Sequence, residues 1–229
     1  MVEKALVTKY AKKGWAVHQR LMAFYGIPDW RNPLPAIDEL ISTILSQNTN
    51  DKNRDIAFNH LKERFPAWEA VRDADPAEVI ETIRTAGLAN QKGPRIQTVL
   101  RQITAERGNL DLEFLKNYPA AEAQAWLTRF KGVGPKTAAI VLQFSLGIPA
   151  FPVDTHIYRV SGRLGLRPEK MSVEDAHLHL ASLFPPPEYG PAHLNLIRLG
   201  REICTARKPA CPVCPLNDLC DFFQNQKEI

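Results

Sequence analysis

Apolar residues recur along this chain at intervals of three and four, seldom at every second position. Ile37, Leu40, Ile41, Ile44 and Leu45 make one stripe, and Ile96, Val99, Leu100 and Ile103 another. A helix with 3.6 residues per turn brings such positions to a single face. Prolines interrupt the pattern at Pro28 to Pro35, Phe65-Pro66, Asp75-Pro76, Tyr118-Pro119, Gly147 to Pro152 and Pro185-Pro186-Pro187, because a proline cannot supply the amide hydrogen of a helix interior. The pieces between them predict an all-α protein of about ten short helices with essentially no sheet. Asp75 before Pro76, and Ser172 followed by Glu174 and Asp175, have the composition of helix starts. No repeat marks a solenoid.

Composition adds bounds. The chain has 229 residues, of which 45% are hydrophobic and 24% charged, enough to bury a core in one domain or two small ones. A formal charge of +4 leaves any nucleic-acid role to local concentrations of Lys and Arg. No apolar run reaches membrane-spanning length, and Met1 to Lys13 carries charges where a signal peptide would be apolar. The expectation is a cytoplasmic monomer, nucleoid-associated if prokaryotic, without a membrane partner.

All four cysteines fall within seventeen residues, as Cys204, Cys211, Cys214 and Cys220. A disulfide framework would spread them to close long loops, so they read as metal ligands. Zinc commonly takes two close ligand pairs, whereas only Cys211 and Cys214 form one here; spacing alone leaves zinc and an iron–sulfur cluster open. Arg207 and Lys208 lie on a loop that such a centre would pin, which lowers the entropy cost of holding them toward phosphate.

A second chemistry-bearing stretch begins where one helix ends near Phe130 and another starts at Pro135. Between them, Lys131-Gly132-Val133-Gly134 reads as a tight turn. Its glycines permit positive φ and close approach of an anion, and the next helix adds the positive end of its dipole. A plain helical hairpin would look the same. A Walker loop is excluded, since it needs glycine directly before the lysine and Pro135 stands there.

Lys136 occupies the first turn of that helix, where a cation opposes the dipole. A neutral amine attacks carbon well, but a lysine of ordinary pKa is protonated at pH 7. Lowering that value by about three units costs about 4 kcal/mol, most of which desolvation has to supply. Asp154 follows a loop and opens another helix, so it serves as an N-cap, as a carboxylate steadying positive charge on a sugar, or as both. A tight ion pair with Lys136 would oppose nucleophilicity, so the two are expected to stand apart in the free protein. His156 reads as a packing residue.

Together, Gly132-Val133-Gly134-Pro135-Lys136-Thr137-Ala138, Val153-Asp154-Thr155-His156 and the four-cysteine loop resemble the endonuclease III family of helix-hairpin-helix DNA glycosylases. The resemblance runs from about Leu21 to Phe222. It implies a helix-hairpin-helix glycosylase fold: a six-helix domain at 37–151 and a discontinuous cluster domain of 1–36 plus 152–229, flanking a DNA groove. It further implies a [4Fe-4S] cluster on the four cysteines, and double-stranded DNA with a damaged pyrimidine or abasic site as partner. Lys136 would form a Schiff base with deoxyribose C1′, and Asp154 would assist base loss and β-elimination. In this family one loop fills the gap left by the extruded base and another wedges beside it. Ser46 to Asp51 matches the first, with Gln47 and Asn48 both candidates, and Gly87 to Lys92 the second, with Leu88 as the wedge. Lys131 stands where the family often has proline. The alternatives are a mismatch or uracil-type glycosylase of the same superfamily and a non-catalytic DNA-structure-binding module. The lysine beside the hairpin favours the bifunctional enzyme.

Overall fold

A computed structural model describes residues 2–29 and 33–227. Residues 30–32, inside the first proline-rich break, lie outside the described residues. Twelve α-helices and no strand occur among the described residues: α1 (Val2–Tyr25), α2 (Ala36–Ser46), α3 (Asp51–Arg64), α4 (Trp68–Asp73), α5 (Pro76–Thr82), α6 (Ala89–Arg107), α7 (Ala120–Thr128), α8 (Pro135–Ile140), α9 (Thr155–Leu164), α10 (Val173–Ala181), α11 (Tyr189–Glu202) and α12 (Asp221–Lys227). The count exceeds the expected ten, and a helix as short as α4, of six residues, leaves too few turns for a periodic signal. No described helix is long and apolar enough to cross a membrane.

The chain divides into two compact units, Pro33–Ile148 and Met1–Asn32 with Pro149–Ile229. In the first, α2 is enclosed on all sides. Leu40, Ile41, Ile44 and Leu45 are fully buried, and so, on the remaining faces, are Asp38, Glu39, Ser42 and Thr43. A buried carboxylate needs partners: Asp38 accepts from Trp68 Nε1 at 2.6 Å and from Lys62 Nζ at 3.4 Å. Helix α6 contributes Ile96, Val99, Leu100 and Ile103, all at 0% exposure; burial of each is worth about 1.5–3 kcal/mol. On its flank Gln97 Nε2 donates to the carbonyls of Val71 and Ala74 at 3.0 and 2.8 Å, joining α6 to the end of α4.

In the second unit α9 packs on α11 around Val160, Leu164, Leu196 and Leu199, with Val17 and Leu21 of α1 in the same core. Close approach depends on Gly200, where a Cβ would stand 2.9 Å from the Cβ of His156. His156 lies half-buried against Gly200, with its Nδ1 3.1 Å from Arg159 NH2. The anticipated helix starts form too: the Asp75 carboxylate accepts from Ala77 N at 2.7 Å, and Ser172 Oγ from Asp175 N at 3.0 Å. The Asp175 side chain returns to the Ser172 hydroxyl, not to its backbone amide, so the reciprocal bond of a full capping box is replaced by one between side chains.

Candidate functional site

In the Pro33–Ile148 unit the hairpin turn closes with a hydrogen bond from Val133 N to Phe130 O at 2.9 Å. Gly132, third residue of that turn, has φ 90°, as a type II turn requires. Gly134 differs from expectation. Its φ of −89° and ψ of 176° are open to any residue, and a Cβ there would meet nothing within 4 Å, whereas one on Gly132 would fall 2.2 Å from Arg95 Cδ. The first glycine shapes the turn, and the second leaves its outer face bare. Gly132→Ala is accordingly expected to lose about 1–3 kcal/mol in urea unfolding and Gly134→Ala less than about 0.5. A duplex affinity lowered in Gly134→Ala despite intact stability would mark backbone approach by phosphate; unchanged affinity would remove that role.

Pro135 takes the first position of α8 and Lys136 the second. Thr137, Ala138 and Ala139 are buried behind them, while Lys136 is half-buried and Lys131 exposed. Among the described residues of its own unit no side chain accepts from the Lys136 amine. After Ile140 the helix widens into a π-helical turn, Val141–Ser145, a form frequent near functional sites.

The two loops matched to base extrusion share one backbone property. Asn48 (φ 53°) and Leu88 (φ 49°) are the non-glycine residues with positive φ among the described residues, a conformation that costs energy and collects at ligand contacts. Leu88 is 47% exposed, which rules out an ordinary packing leucine. Gln47 and Asn48 are now distinguishable. The Gln47 amide is engaged at both ends, Nε2 donating to Gly132 O at 3.0 Å and Oε1 accepting from Arg95 NH1 at 2.8 Å. Asn48 is exposed beside it.

Sequence reasoning missed Lys92 of α6. It is 1% exposed, and its Nζ donates to Leu45 O and Ala86 O, both at 2.7 Å. Burial pulls its ammonium down to about 8, with the nearby Arg95 charge adding to the effect. The folded value thus lies below the ordinary 10.5, so holding the proton costs stability, on the order of 3 kcal/mol. That cost is full below about pH 8 and fades as pH rises toward 10.5. Across this window the native protein should gain stability relative to Lys92→Met in urea titrations; parallel pH curves would show that the charge is not felt. No sequence signal marked this residue, since one lysine in a loop-to-helix stretch reads as solvated.

In the other unit Asp154 caps α9: its Oδ1 accepts from Ile157 N at 2.7 Å, and the residue is half-buried. The cap reading is therefore correct, and Oδ2 is left for other work. Further along α9, Arg159 donates to Gly200 O at 2.9 Å and to Cys204 O at 3.1 Å, and Arg163 donates to Thr205 O and Ala206 O at 2.7 and 2.9 Å. These two arginines, four apart on one face, hold the start of the loop that exposes Arg207 and Lys208. Thr205 Oγ1 donates to Lys208 O at 2.7 Å and closes that loop.

The four cysteines form no disulfide and line one pocket of about 360 Å³, mouth included, with Leu164, Leu199, Ile203 and Phe222. Among the described residues no three His, Cys, Asp or Glu side chains converge as a single metal ion would require. Four thiols lining one apolar pocket are a donor set that either zinc or an iron–sulfur cluster could use. Burial pushes the Cys211, Cys214 and Cys220 thiols up, and neighbouring cysteines add to it. The Arg163 charge opposes this at Cys211, and its guanidinium also donates to Cys204 Sγ at 3.4 Å. Bound iron would supply the remaining charge that four thiolates need.

Residues 41–186 match the family described as HhH-GPD superfamily base excision DNA repair protein, and residues 204–220, first cysteine to last, the iron–sulfur binding domain of endonuclease III. Endonuclease III of Sulfolobus acidocaldarius is 34% identical over 186 residues, covering 80% of this chain and 81% of that protein. A putative DNA glycosylase of Arabidopsis thaliana is 39% identical over 149 residues, 65% of this chain but 51% of that protein. The chain thus spans about half the length of that plant relative. A solved non-covalent complex of endonuclease III with DNA aligns at a TM-score of 0.81 and 27% identity, over 96% of this chain and 99% of that one. The chain belongs to the HhH-GPD superfamily of base excision DNA repair proteins and, within it, to the endonuclease III family. Its fold is the all-α helix-hairpin-helix glycosylase fold, and its cofactor is a [4Fe-4S] cluster.

Proposed function

We propose that this protein is a bifunctional DNA glycosylase and abasic-site lyase that removes oxidised pyrimidines from duplex DNA. The observation that carries the reading is Lys136: a half-buried lysine in the first turn of α8, opposed by the helix dipole and without a partner in its own unit. A purely structural residue at that position would be neutral or acidic.

The proposed chemistry has two stages. The Lys136 amine, freed of its proton as bound DNA completes its desolvation, attacks C1′ of an extruded nucleotide; the C1′–N bond breaks and the base leaves with a proton. The Asp154 carboxylate steadies the positive charge that develops on the sugar. Ring opening gives an iminium between Nζ and C1′. Loss of a C2′ proton then expels the 3′ phosphate by β-elimination, and water releases the lysine. Asn48 and Leu88 would enter the duplex as the base leaves it, offsetting an unstacking cost of a few kcal/mol. The bare face of Gly134 with exposed Lys131, and Arg207 with Lys208 on the cysteine loop, would grip the phosphate backbone. Cys204, Cys211, Cys214 and Cys220 would hold the cluster, which by cross-linking the loop fixes those two cations.

Reduction with borohydride tests this directly. Incubated with a duplex containing thymine glycol or an abasic site, the protein should yield a covalent adduct, because borohydride converts the iminium into a stable amine. A protein that binds the lesion and releases the base without any trapped adduct would instead be a monofunctional glycosylase.

A further inference from the structure

One face of α6 carries two cations that are turned to partners inside the protein. Lys92 and Arg95 are three residues apart, on the same side of the helix. The Lys92 ammonium is buried and spends its protons on two carbonyls, Leu45 O near the end of α2 and Ala86 O just before Gly87-Leu88. Arg95 donates to Gln47 Oε1 at 2.8 Å, and its side chain lies against Gly132, where a Cβ would fall 2.2 Å from Arg95 Cδ and displace it. Gln47 in turn donates to Gly132 O at 3.0 Å. Three separate segments are therefore tied to one helical turn: the α2–α3 loop, the turn before α6 and the hairpin turn between α7 and α8.

The cost of this arrangement argues against a stabilising role. A buried ammonium is held against its own desolvation, and replacement of buried ionic groups by apolar side chains of similar size is often neutral or stabilising. Geometry is what it provides. Leu45 is three residues before Asn48, and Ala86 two before Leu88, the two non-glycine positions with left-handed backbone among the described residues. A residue in that conformation stays there only where its surroundings over-determine it. A common clamp just upstream of both sets them in one register.

We propose that Lys92 and Arg95 are positioning residues that lock the Ser46–Asn50 loop, the Gly87-Leu88 turn and the Gly132 turn together, so that Asn48 and Leu88 enter duplex DNA as a single preformed element. The inference rests on the proposed base-extruding activity. Neither side chain need touch DNA: Lys92 is enclosed, and Arg95 is half-buried against the hairpin.

The test reads extrusion in bound complexes, independently of how much protein is folded. A duplex carries 2-aminopurine opposite a stable abasic analogue, and fluorescence is recorded at saturating protein, so that amplitude reports the unstacked state per complex. Arg95→Met should lower the saturating amplitude at least about fivefold, and Lys92→Met similarly, with far-UV circular dichroism confirming that each is folded. Loss of folded protein would shift the concentration needed for saturation and leave the amplitude alone. An amplitude equal to that of the native protein in folded Arg95→Met overturns the proposal; should Lys92→Met fail to fold, Arg95→Met decides it. A native protein that gives no fluorescence rise with any lesion duplex would instead bring down the extrusion reading itself, before any variant is compared.

Discussion

Lys136→Ala is expected to lose all borohydride-trapped adduct and to slow strand cleavage at an abasic site at least about a thousandfold, roughly 4 kcal/mol in transition-state free energy. The size follows from what alanine removes. Without an amine at C1′ no iminium forms, so the β-elimination step loses its electron sink, and only slow spontaneous cleavage of the open sugar remains. Stability should change little. Lys136 has no hydrogen-bond partner in its own unit, and removing a cation from the first turn of α8 relieves an unfavourable dipole interaction by about 0.3–1 kcal/mol. The variant should melt at or slightly above the temperature of the native protein and still bind an abasic-site duplex. A trapped adduct persisting in Lys136→Ala would mean that another amine is the nucleophile. An unfolded variant would mean that the residue is structural.

Asp154→Asn separates two roles that share one side chain. The carboxylate caps α9 through Ile157 N at 2.7 Å, and asparagine caps nearly as well, so stability should fall by less than about 0.5 kcal/mol. The negative charge is lost. Base release from a damaged-pyrimidine duplex is therefore expected to drop about a hundredfold or more while duplex affinity persists. Asp154→Ala should show the same kinetic loss together with about 1 kcal/mol of destabilisation from the missing cap. Single-turnover release measured beside urea unfolding distinguishes these. Normal base release in Asp154→Asn would reduce Asp154 to a helix cap.

Legibility differed from residue to residue. The stripe Ile96, Val99, Leu100 and Ile103 was readable because burial imposes the helical period on the sequence, and all four are at 0% exposure; in the α2 stripe Leu40, Ile41, Ile44 and Leu45 are too, while Ile37 is half-buried and polar residues between them are buried as well. The cysteine loop was readable as a metal centre because ligand spacing is local; the choice of iron–sulfur over zinc came from the family match. The Gly132 turn was readable and the Gly134 conformation was not, since glycine signals a permitted φ and not an adopted one. Leu88 could not be told from a packing leucine in the sequence, because exposure is a property of the assembled surface.

By itself, then, the sequence determined the all-helical class, the main breaks between helices, the cysteine centre and the family, all of which depend on periodicity, proline geometry or the order of short motifs. Only the tertiary structure decided that Gln47 is tied to the hairpin while Asn48 stands exposed, and that α6 carries a buried lysine whose ammonium donates to Leu45 O and Ala86 O. The Gln47 and Lys92 contacts join residues 85 and 47 positions apart, and such contacts leave no period in the chain. A buried ammonium and a solvated one are the same letter until the carbonyls that receive it are in place.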